Sequence, residues 1–490
     1  MTEQALYSGW RVKKGLGFFG FSQNETIALA GSLFLILIVA GRRPTTLFVT
    51  APLFLLAALV LTKFGGVSGV DRLRREFGFY TARKRQFLDY RNKHLQGEPL
   101  APGERLKLPG LLAPTRLLGR RDGFSEWGIV WDQSNDFLTT TFICNSQSPQ
   151  LADDDVFNIW VAQWHQFMAS LASEPQIEYV TVTVDSANEG GATVTENLRR
   201  SLVPSASVHA YDVLTSLGNL GVDQASYVET RISITFNPNK GPARKKAIGA
   251  KVAEISRLLY GLESRLSACG LSAIHRASPA DLSARMKTSF DRSAKDTIVE
   301  GMLKGVSPMR WSQAGPRVTR EERNHFLHDT GASVSWVWNN GPRSPVPATI
   351  LGPLVNPGPY PKKVTLIYEP SDPAAVSRKL EQERTALDAK RMLLNQSPQN
   401  ETQRQKVDRE FATLAAQEEA RGAGFGDLSM FVTVTVPDES LLDDAKTDIK
   451  SRAAQAKVSL REATCSQAAV FYAGLSAGIH PAYKINKGFF

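Results

Sequence analysis

Two apolar segments near the amino end constrain the fold of this chain more strongly than any other feature. They cover residues 26–40 and 44–61, contain no charged residue, and are separated by a turn that includes Arg42 and Arg43. As helices they would measure about 22–27 Å, slightly less than a hydrocarbon layer of about 30 Å. A cleaved signal peptide would have one apolar region and a cleavage site. A buried core hairpin is the remaining alternative, and the pattern favours a two-helix transmembrane hairpin within residues 1–65.

The charged residues around these segments predict their orientation. Three basic residues precede the first segment and a dense basic stretch follows the second, whereas the turn holds only Arg42 and Arg43. Cytoplasmic loops of membrane proteins carry the excess of Lys and Arg. The pattern therefore predicts a multi-pass protein of the cytoplasmic (inner) membrane with both termini in the cytoplasm.

Residues 66–121 are predicted to form a basic, membrane-proximal linker. From Lys63 to Arg121 the chain has fourteen basic and five acidic residues, which is +9 of the formal net charge of +10. One interpretation is a plain solvated linker; the other is a collar on anionic lipid, where each basic residue near the surface contributes about 1 kcal/mol. Nucleic acid is the competing partner. The predicted membrane-collar residues are Lys63, Arg72, Arg74, Arg75, Arg83, Lys84 and Arg85.

Beyond residue 121 the hydrophobic periodicity predicts an α+β protein. Short runs rich in β-branched residues predict strands such as 177–184, and longer amphipathic runs predict helices such as 243–269. Their alternation suggests cytoplasmic ferredoxin-like or related α+β units. The predicted regions are a first α+β domain at 122–300, a Pro/Gly-rich β segment at 301–370, an inserted antiparallel helical hairpin at 371–422, and a second α+β unit with a tail at 423–490.

A repeated pentapeptide raises the question of internal duplication. VTVTV occurs at 180–184 and again at 432–436, where a predicted helix follows at once. Five β-rich residues also recur easily by chance, so duplication and coincidence both stay open at the level of sequence.

Three short motifs resemble catalytic or cofactor signatures in unsuitable contexts. Residues 15–20, GLGFFG, match a dinucleotide fingerprint that requires a preceding strand and a following helix. Asp329 begins a DTG tripeptide, but aspartic-protease chemistry needs two such carboxylates, and the sequence has no second copy. His325 and His328 form an HxxH, and no HExxH is present. No catalytic residue, cofactor or metal is predicted.

Two further sequence features bear on the class of protein. The dipeptide Gly-Lys does not occur, which excludes a GxxxxGK[ST] phosphate-binding loop. The chain is therefore predicted not to be a P-loop motor. Because the other motifs also lack a suitable context, it is predicted not to be an enzyme. Its three scattered cysteines form no CxxC pair, which favours a reducing compartment for the large domain.

Four stretches, taken in order, resemble the actinobacterial conjugation-locus membrane proteins described as EccE-like. They are KKGLGFFGFSQNETIALAG with the apolar pair after it, LSACGLSAIHRASPADLSARMKTSFD, the segment from HDTGASVSWVW to YEPSDP, and FVTVTVPDESLLDDAKTDIKSRAAQAKVSL with SQAAVFYAGL. The amino end resembles PrgI-type membrane hairpins. The remainder resembles the motorless amino-terminal half of a type IV secretion ATPase.

This resemblance implies a non-catalytic inner-membrane structural subunit of a conjugative (type IV-like) or type VII secretion apparatus. Its expected partners are a separate ATPase docked at the cytoplasmic face, other inner-membrane subunits, anionic lipid and further copies of this chain. The alternative is a membrane-tethered DNA-binding protein. Aromatic side chains often anchor protein interfaces, which makes Trp311, Trp336 and Trp338 candidate partner contacts, with core packing as the other interpretation.

Overall fold

A single large sheet organises the computed structural model of this chain. The structure describes residues 69–92, 107–146 without 124, 152–188, 226–304, 309–342, 345–372 and 426–485, with a few shorter stretches elsewhere. These residues form a 13-stranded antiparallel sheet with helices packed against it. The predicted fold class, a membrane hairpin followed by distinct α+β units, is wrong because the strands of both predicted units belong to one continuous sheet.

The bounds of the elements are as follows. The strands of the large sheet are β1 Asp89–Arg91, β2 Thr115–Asp122, β3 Ser125–Asp132, β4 Phe137–Ser146, β5 Ile177–Asn188, β6 Ser226–Phe236, β7 Leu271–Arg276, β8 Val318–Glu321, β9 Phe326–His328, β10 Gly331–Asn340, β11 Lys362–Pro370, β12 Gly426–Val436 and β13 Ser459–Glu462. The helices are α1 Gly69–Lys84, α2 Asp154–Leu171, α3 Ile248–Ser267, α4 Pro279–Phe290, α5 Lys295–Leu303, α6 Gly352–Val355, α7 Leu442–Gln455, α8 Gln467–Ala473 and α9 Pro481–Ile485.

The predicted membrane location is also corrected. Within the part of the chain that the structure describes, no helix combines the length and the apolar character needed to cross a bilayer. The segments behind the predicted hairpin, 26–40 and 44–61, lie outside the described residues except for Gly31, as does the GLGFFG motif. The predicted helical hairpin at 371–422 likewise lies outside them, apart from residues 371, 372 and 385.

Two groups of strands in the sheet share one connectivity. In unit one, the chain runs β4-α2-β5-β6-α3-β7, and the strands lie side by side in the order β7-β4-β6-β5. In unit two it runs β10-α6-β11-β12-α7-β13, with the order β13-β10-β12-β11. Both orders correspond to the βαββαβ arrangement of ferredoxin-like motifs, with α6 as a short replacement for the first helix of unit two. The two units thus repeat one topology within a single sheet.

The seam between the units is formed by their second strands. Strands β5 and β11 pair in antiparallel register from Lys362 opposite Ser186 to Tyr368 opposite Val180. Thr183 faces Thr365 at the middle of this seam, with their hydroxyl oxygens 3.3 Å apart. The two VTVTV strings are not equivalent in this arrangement, because one lies in the second strand of unit one and the other in the third strand of unit two.

One face of the sheet is apolar and is covered by the long helices. Alternate side chains of β4, β5 and β6 pack with α2 and α3, and those of β10, β11 and β12 pack with α7. This follows from the period of two residues in a strand, which sends every second side chain to the same face. The helices bury one stripe each, as expected for amphipathic helices on a sheet.

The opposite face is buried but unusually rich in hydroxyl groups. Threonine and serine side chains of neighbouring strands form hydrogen-bonded cross-strand pairs there. The pairs are Thr139–Thr235, Thr141–Ser233, Ser333–Thr435 and Ser335–Thr433, with oxygen–oxygen distances of 2.8–2.9 Å. Buried hydroxyls require such partners, so this face is tolerated in the interior because its members satisfy one another.

The carboxy-terminal residues 467–483, here called the C-terminal strap, cover this polar face and connect both units. In unit two, the side-chain oxygen of Gln467 accepts a hydrogen bond of 2.7 Å from the backbone N–H of Ser335. In unit one, the hydroxyl of Tyr179 donates to the carbonyl of Gly478 at 2.7 Å. His480 Nε2 lies 3.0 Å from the Glu369 carboxylate. The strap therefore holds the two units together on the face opposite the helices.

Candidate partner-binding surface

Helix α1 carries most of the predicted collar residues and is docked on the edge of the sheet. Phe79 is its buried anchor. The Arg323 guanidinium binds the Glu76 carboxylate through two oxygens at 3.1 and 3.2 Å, and Arg83 lies 3.5 Å from Glu322. The face that contains residues 76, 79 and 83 therefore points toward the protein, as their helical spacing requires.

The chain after α1 fixes the helix further. Strand β1 pairs with β8, and the backbone N–H of Asn92 donates to the carbonyl of Arg317 at 2.8 Å. The Tyr90 hydroxyl donates to the carbonyl of Lys107 at 2.7 Å. Residues 66–121, predicted as a linker, thus include a helix and two strands of the large sheet.

A second face of α1 exposes large apolar side chains. Leu73, Phe77 and Tyr80, here called the apolar stripe, are 61–72% exposed, and Phe87 in the following turn is 74% exposed. Their spacing of four and three residues places the three stripe residues on one side of the helix. Contiguous exposed apolar side chains rimmed by polar ones are typical of interaction sites.

The predicted collar residues lie around this stripe. Arg72, Arg74, Arg83, Lys84 and Arg85 are exposed, and Arg75 is half-buried. Lys63 belongs to a separate short strand, Lys63–Phe64, which pairs with Val67–Ser68. The surface of α1 therefore combines exposed apolar side chains with a high density of positive charge.

A cavity of about 210 Å³ lies beneath α1, between the helix and the end of β13. Four arginines, two glutamates and a cysteine contribute to its wall, together with two neutral polar residues. The lining residues are Arg72, Arg75, Glu76, Arg323, Asn324, Arg461, Glu462, Thr464 and Cys465. Two predicted collar residues, Arg72 and Arg75, are thus part of a basic pocket that the sequence did not predict.

The three tryptophans predicted as partner contacts are in the interior. Trp311, Trp336 and Trp338 are only 1–9% exposed. Trp336 and Trp338 lie on the apolar face of β10 and pack with β12 and α7, whereas Trp311 donates from Nε1 to the Thr115 hydroxyl at 3.0 Å. As buried side chains they stabilise the fold and are not available to a partner, so the core interpretation applies to all three.

Asp329 of the DTG tripeptide has a structural role. One carboxylate oxygen accepts backbone hydrogen bonds from Arg317 at 2.6 Å and Val318 at 3.1 Å. The other accepts a hydrogen bond of 2.8 Å from the Lys287 amine. The backbone of Asp329 has a φ of 28°, which these contacts hold in place. Its carboxylate therefore fixes the turn before β10.

The two histidines of the HxxH motif bind different partners. His325 Nε2 lies 2.9 Å from the Glu439 carboxylate. His328 is buried, with Nδ1 at 2.6 Å from the Phe290 carbonyl and Nε2 at 2.8 Å from the Ser333 hydroxyl. Because a carbonyl only accepts, Nδ1 carries the proton and Nε2 accepts. Among the described residues, no group of three or more His, Cys, Asp or Glu side chains is arranged to hold a metal ion.

The environment of His328 predicts a measurable pH dependence. Burial lowers the pKa of His328 to about 4, below the ordinary value of 6.5, so the unfolded chain takes up the proton first as the pH falls. We expect the free energy of unfolding to lose about 2 kcal/mol from this group between pH 7.5 and pH 5. Chemical denaturation of wild type and His328→Gln at both pH values measures the difference.

The comparison between wild type and His328→Gln decides the outcome. His328→Gln is expected to lose about 2 kcal/mol of the pH dependence. Equal pH slopes for the two proteins would contradict the assignment of this pH dependence to His328.

A buried charged network at the seam was not identified from the sequence. Arg285 Nη2 lies 2.6 Å from the Glu229 carboxylate, and Arg231 lies 3.6 Å from both Glu229 and Asp185. Although burial opposes ionisation, the two guanidinium groups lower the pKa of Glu229 to about 2. Lys363 joins from β11, 3.7 Å from Asp185, with a pKa that burial lowers to about 8. The signal in the sequence is the presence of charged residues inside strands of β-branched residues.

Comparison with known proteins adds no family to this description. No family model matches the chain, and no curated protein matches it significantly.

Proposed function

We propose that this protein is a non-catalytic docking subunit whose α1 surface binds a separate protein. The observation that carries the proposal is the apolar stripe Leu73, Phe77 and Tyr80, exposed among arginines and lysines on a helix anchored to the sheet. A complementary partner would present apolar side chains within an acidic rim. The resemblance to EccE-like and type IV secretion proteins favours the ATPase of a conjugative or secretion apparatus as that partner.

The energetics of the stripe support docking. Complete burial of one such side chain contributes about 1.5–3 kcal/mol, so three of them offset a large part of the cost of association. The surrounding charges would accelerate encounter with an acidic surface and select against basic ones. A helix held by Phe79, by the Glu76–Arg323 pair and by β1 is also pre-organised, which reduces the entropy lost on binding.

The hydrogen bonds and ion pairs of the polar side chains inside the sheet support a non-catalytic role. Asp329 and His328, the side chains that most resembled catalytic motifs, use their polar atoms for hydrogen bonds that hold turns and strands together. The buried charges at the seam likewise link strands of the two units. These side chains have structural roles, which favours partner binding at the α1 surface over catalysis.

The test is binding of a purified P-loop ATPase encoded beside this gene, measured by biolayer interferometry. The Phe77→Ser/Tyr80→Ser double variant is expected to bind at least tenfold more weakly than wild type, a loss of about 1.4 kcal/mol or more. Because both side chains are exposed, its thermal stability should match that of wild type.

Ile159→Ser serves as the matched control. Ile159 is also an exposed apolar side chain, 57% accessible, but lies on α2 rather than α1. It is expected to leave binding unchanged. Equal affinity of wild type and the stripe variant would refute docking through α1, and equal losses in both variants would show that the effect is not specific to this surface.

Binding to DNA is the second candidate function, favoured by the concentration of arginines on and beneath α1. Contacts to phosphates release counterions, so such binding weakens steeply with salt. A gel shift with duplex DNA at 50 and 200 mM NaCl separates the two functions. The docking proposal predicts a complex with the ATPase that persists at the higher salt, because salt does not screen the apolar contacts of the stripe.

A further inference from the structure

The cavity beneath α1 has an excess of positive charge around a small volume that is partly open to solvent. Its wall includes four arginines and two glutamates. Both glutamates lie close to basic side chains other than Arg72 and Arg461: Arg323 of the cavity wall binds Glu76 at 3.1 Å, and Lys450 lies 3.9 Å from Glu462. The charges of Arg72 on α1 and Arg461 on β13 are therefore only partly compensated by the acids of the cavity wall.

Arg461 is the centre of this arrangement. It projects from β13 and is half-buried, and Nη1 donates a long hydrogen bond of 3.5 Å to the carbonyl of Glu462. Burial and the nearby charges of Arg75 and Arg72 lower the pKa of Arg461. Holding like charges together costs stability, and such arrangements are concentrated at functional sites.

We propose that this cavity binds a phosphate group through Arg72 and Arg461. A guanidinium presents a planar fork of N–H donors that matches two phosphate oxygens, and several forks around one volume bind a dianion more strongly than scattered lysines would. A volume of about 210 Å³ accommodates a phosphate or diphosphate with its bridging waters. This binding is independent of docking through the apolar stripe.

The cysteine in the wall indicates binding rather than phosphate-ester cleavage. A thiol acts as a nucleophile only as the thiolate. Burial and the Glu76 carboxylate raise the pKa of Cys465 to about 11, so the thiol stays protonated near neutral pH. Its backbone, with a φ of 61° and an N–H that donates to the Arg323 carbonyl at 2.8 Å, serves to shape the cavity.

The test is isothermal titration of the full-length protein with inorganic pyrophosphate in 50 mM NaCl. Wild type is expected to show saturable binding below about 1 mM. Arg461→Gln and, as an independent variant, Arg72→Gln are each expected to weaken it at least tenfold. Removing one of several like charges should leave the melting temperature of each variant unchanged or slightly higher.

Three comparisons make the result decisive. Arg74→Gln removes an exposed α1 charge that does not line the cavity and is expected to bind pyrophosphate as wild type does. Phe77→Ser/Tyr80→Ser should also bind normally, which separates this site from partner docking. A 5′-phosphorylated oligonucleotide and its unphosphorylated form distinguish a terminal phosphate from backbone phosphates as the source of the group.

The proposal is overturned if wild type shows no saturable pyrophosphate binding. It is equally overturned if Arg74→Gln weakens binding as much as Arg461→Gln and Arg72→Gln do, because the effect would then reflect overall charge rather than the cavity.

Discussion

Replacing Gly478 with alanine is expected to destabilise the protein by about 4 kcal/mol. Gly478 has a φ of +61°, a left-handed conformation that costs other residues energy. An added Cβ would also clash with the Thr139 hydroxyl oxygen and lie 2.7 Å from the Thr139 Cβ. The C-terminal strap would have to move away from β4, which would break the hydrogen bond from Tyr179 to the Gly478 carbonyl.

Gly261→Ala is the matched control for this substitution. Gly261 lies inside α3, where an added Cβ meets no atom within 4 Å. Alanine there is expected to stabilise the protein by about 0.5–1 kcal/mol, because it favours the helix. Guanidinium unfolding followed by circular dichroism measures both variants. Similar small changes in the two would show that the strap does not contribute to the stability of the sheet.

Replacing Trp336 with alanine is expected to cost about 3–5 kcal/mol of unfolding free energy. The indole is 1% exposed, stands opposite Val432 in the neighbouring strand, and packs in the core between β10, β12 and α7. Its removal would leave a cavity that the surrounding strands cannot fill without breaking their ladders. Thermal and chemical unfolding of the full chain provide the measurement.

Phe77→Ala distinguishes a core aromatic from a surface aromatic. Phe77 is 72% exposed, so its truncation is expected to change the unfolding free energy by less than about 0.5 kcal/mol. Partner binding should instead respond to the surface aromatic, with a loss of affinity for Phe77→Ala. If Trp336→Ala left stability intact and abolished docking, the placement of Trp336 in the core would be wrong.

Local structure was largely predictable from the sequence. The run IEYVTVTV indicated a strand at 177–184, and the structure has β5 at Ile177–Asn188. The amphipathic run at 243–269 indicated a helix, and α3 covers Ile248–Ser267. Ser278-Pro279 is a typical helix start, and in the structure Ser278 forms a capping box with Asp281. Periodicity and capping act within a few residues, so they can be recognised without knowledge of the fold.

The joining of the units was not predictable in the same way. Nothing in the residues of β5 or β11 specifies that these strands pair with each other, since β-branched alternation fits many neighbours. The contact lies between residues about 180 positions apart, as Thr183 and Thr365 illustrate. Separate α+β units were therefore the natural expectation, whereas in the structure the two units share one sheet.

The candidate site shows the same limit. Basic composition indicated the collar but not that Arg72 and Arg75 meet Arg461 across a cavity, because that contact depends on tertiary packing. The apolar stripe was not predicted, because the segment was interpreted as a linker, although the helical spacing of Leu73, Phe77 and Tyr80 is a signal that could have revealed it. Tryptophan content alone did not separate core from interface, as the burial of Trp336 shows.

The two units are related by an approximate two-fold axis that is perpendicular to the sheet and passes through the seam at Thr183 and Thr365. This follows because the second strands of the two units pair there in antiparallel orientation. An isologous dimer of a single βαββαβ unit would make the same contact with two copies of one strand. This chain therefore has the geometry of a dimer within one polypeptide. Covalent fusion allows its halves to differ. Among the described residues, basic α1 lies beside unit two and has no counterpart beside unit one, so the assembled surface has one orientation instead of two.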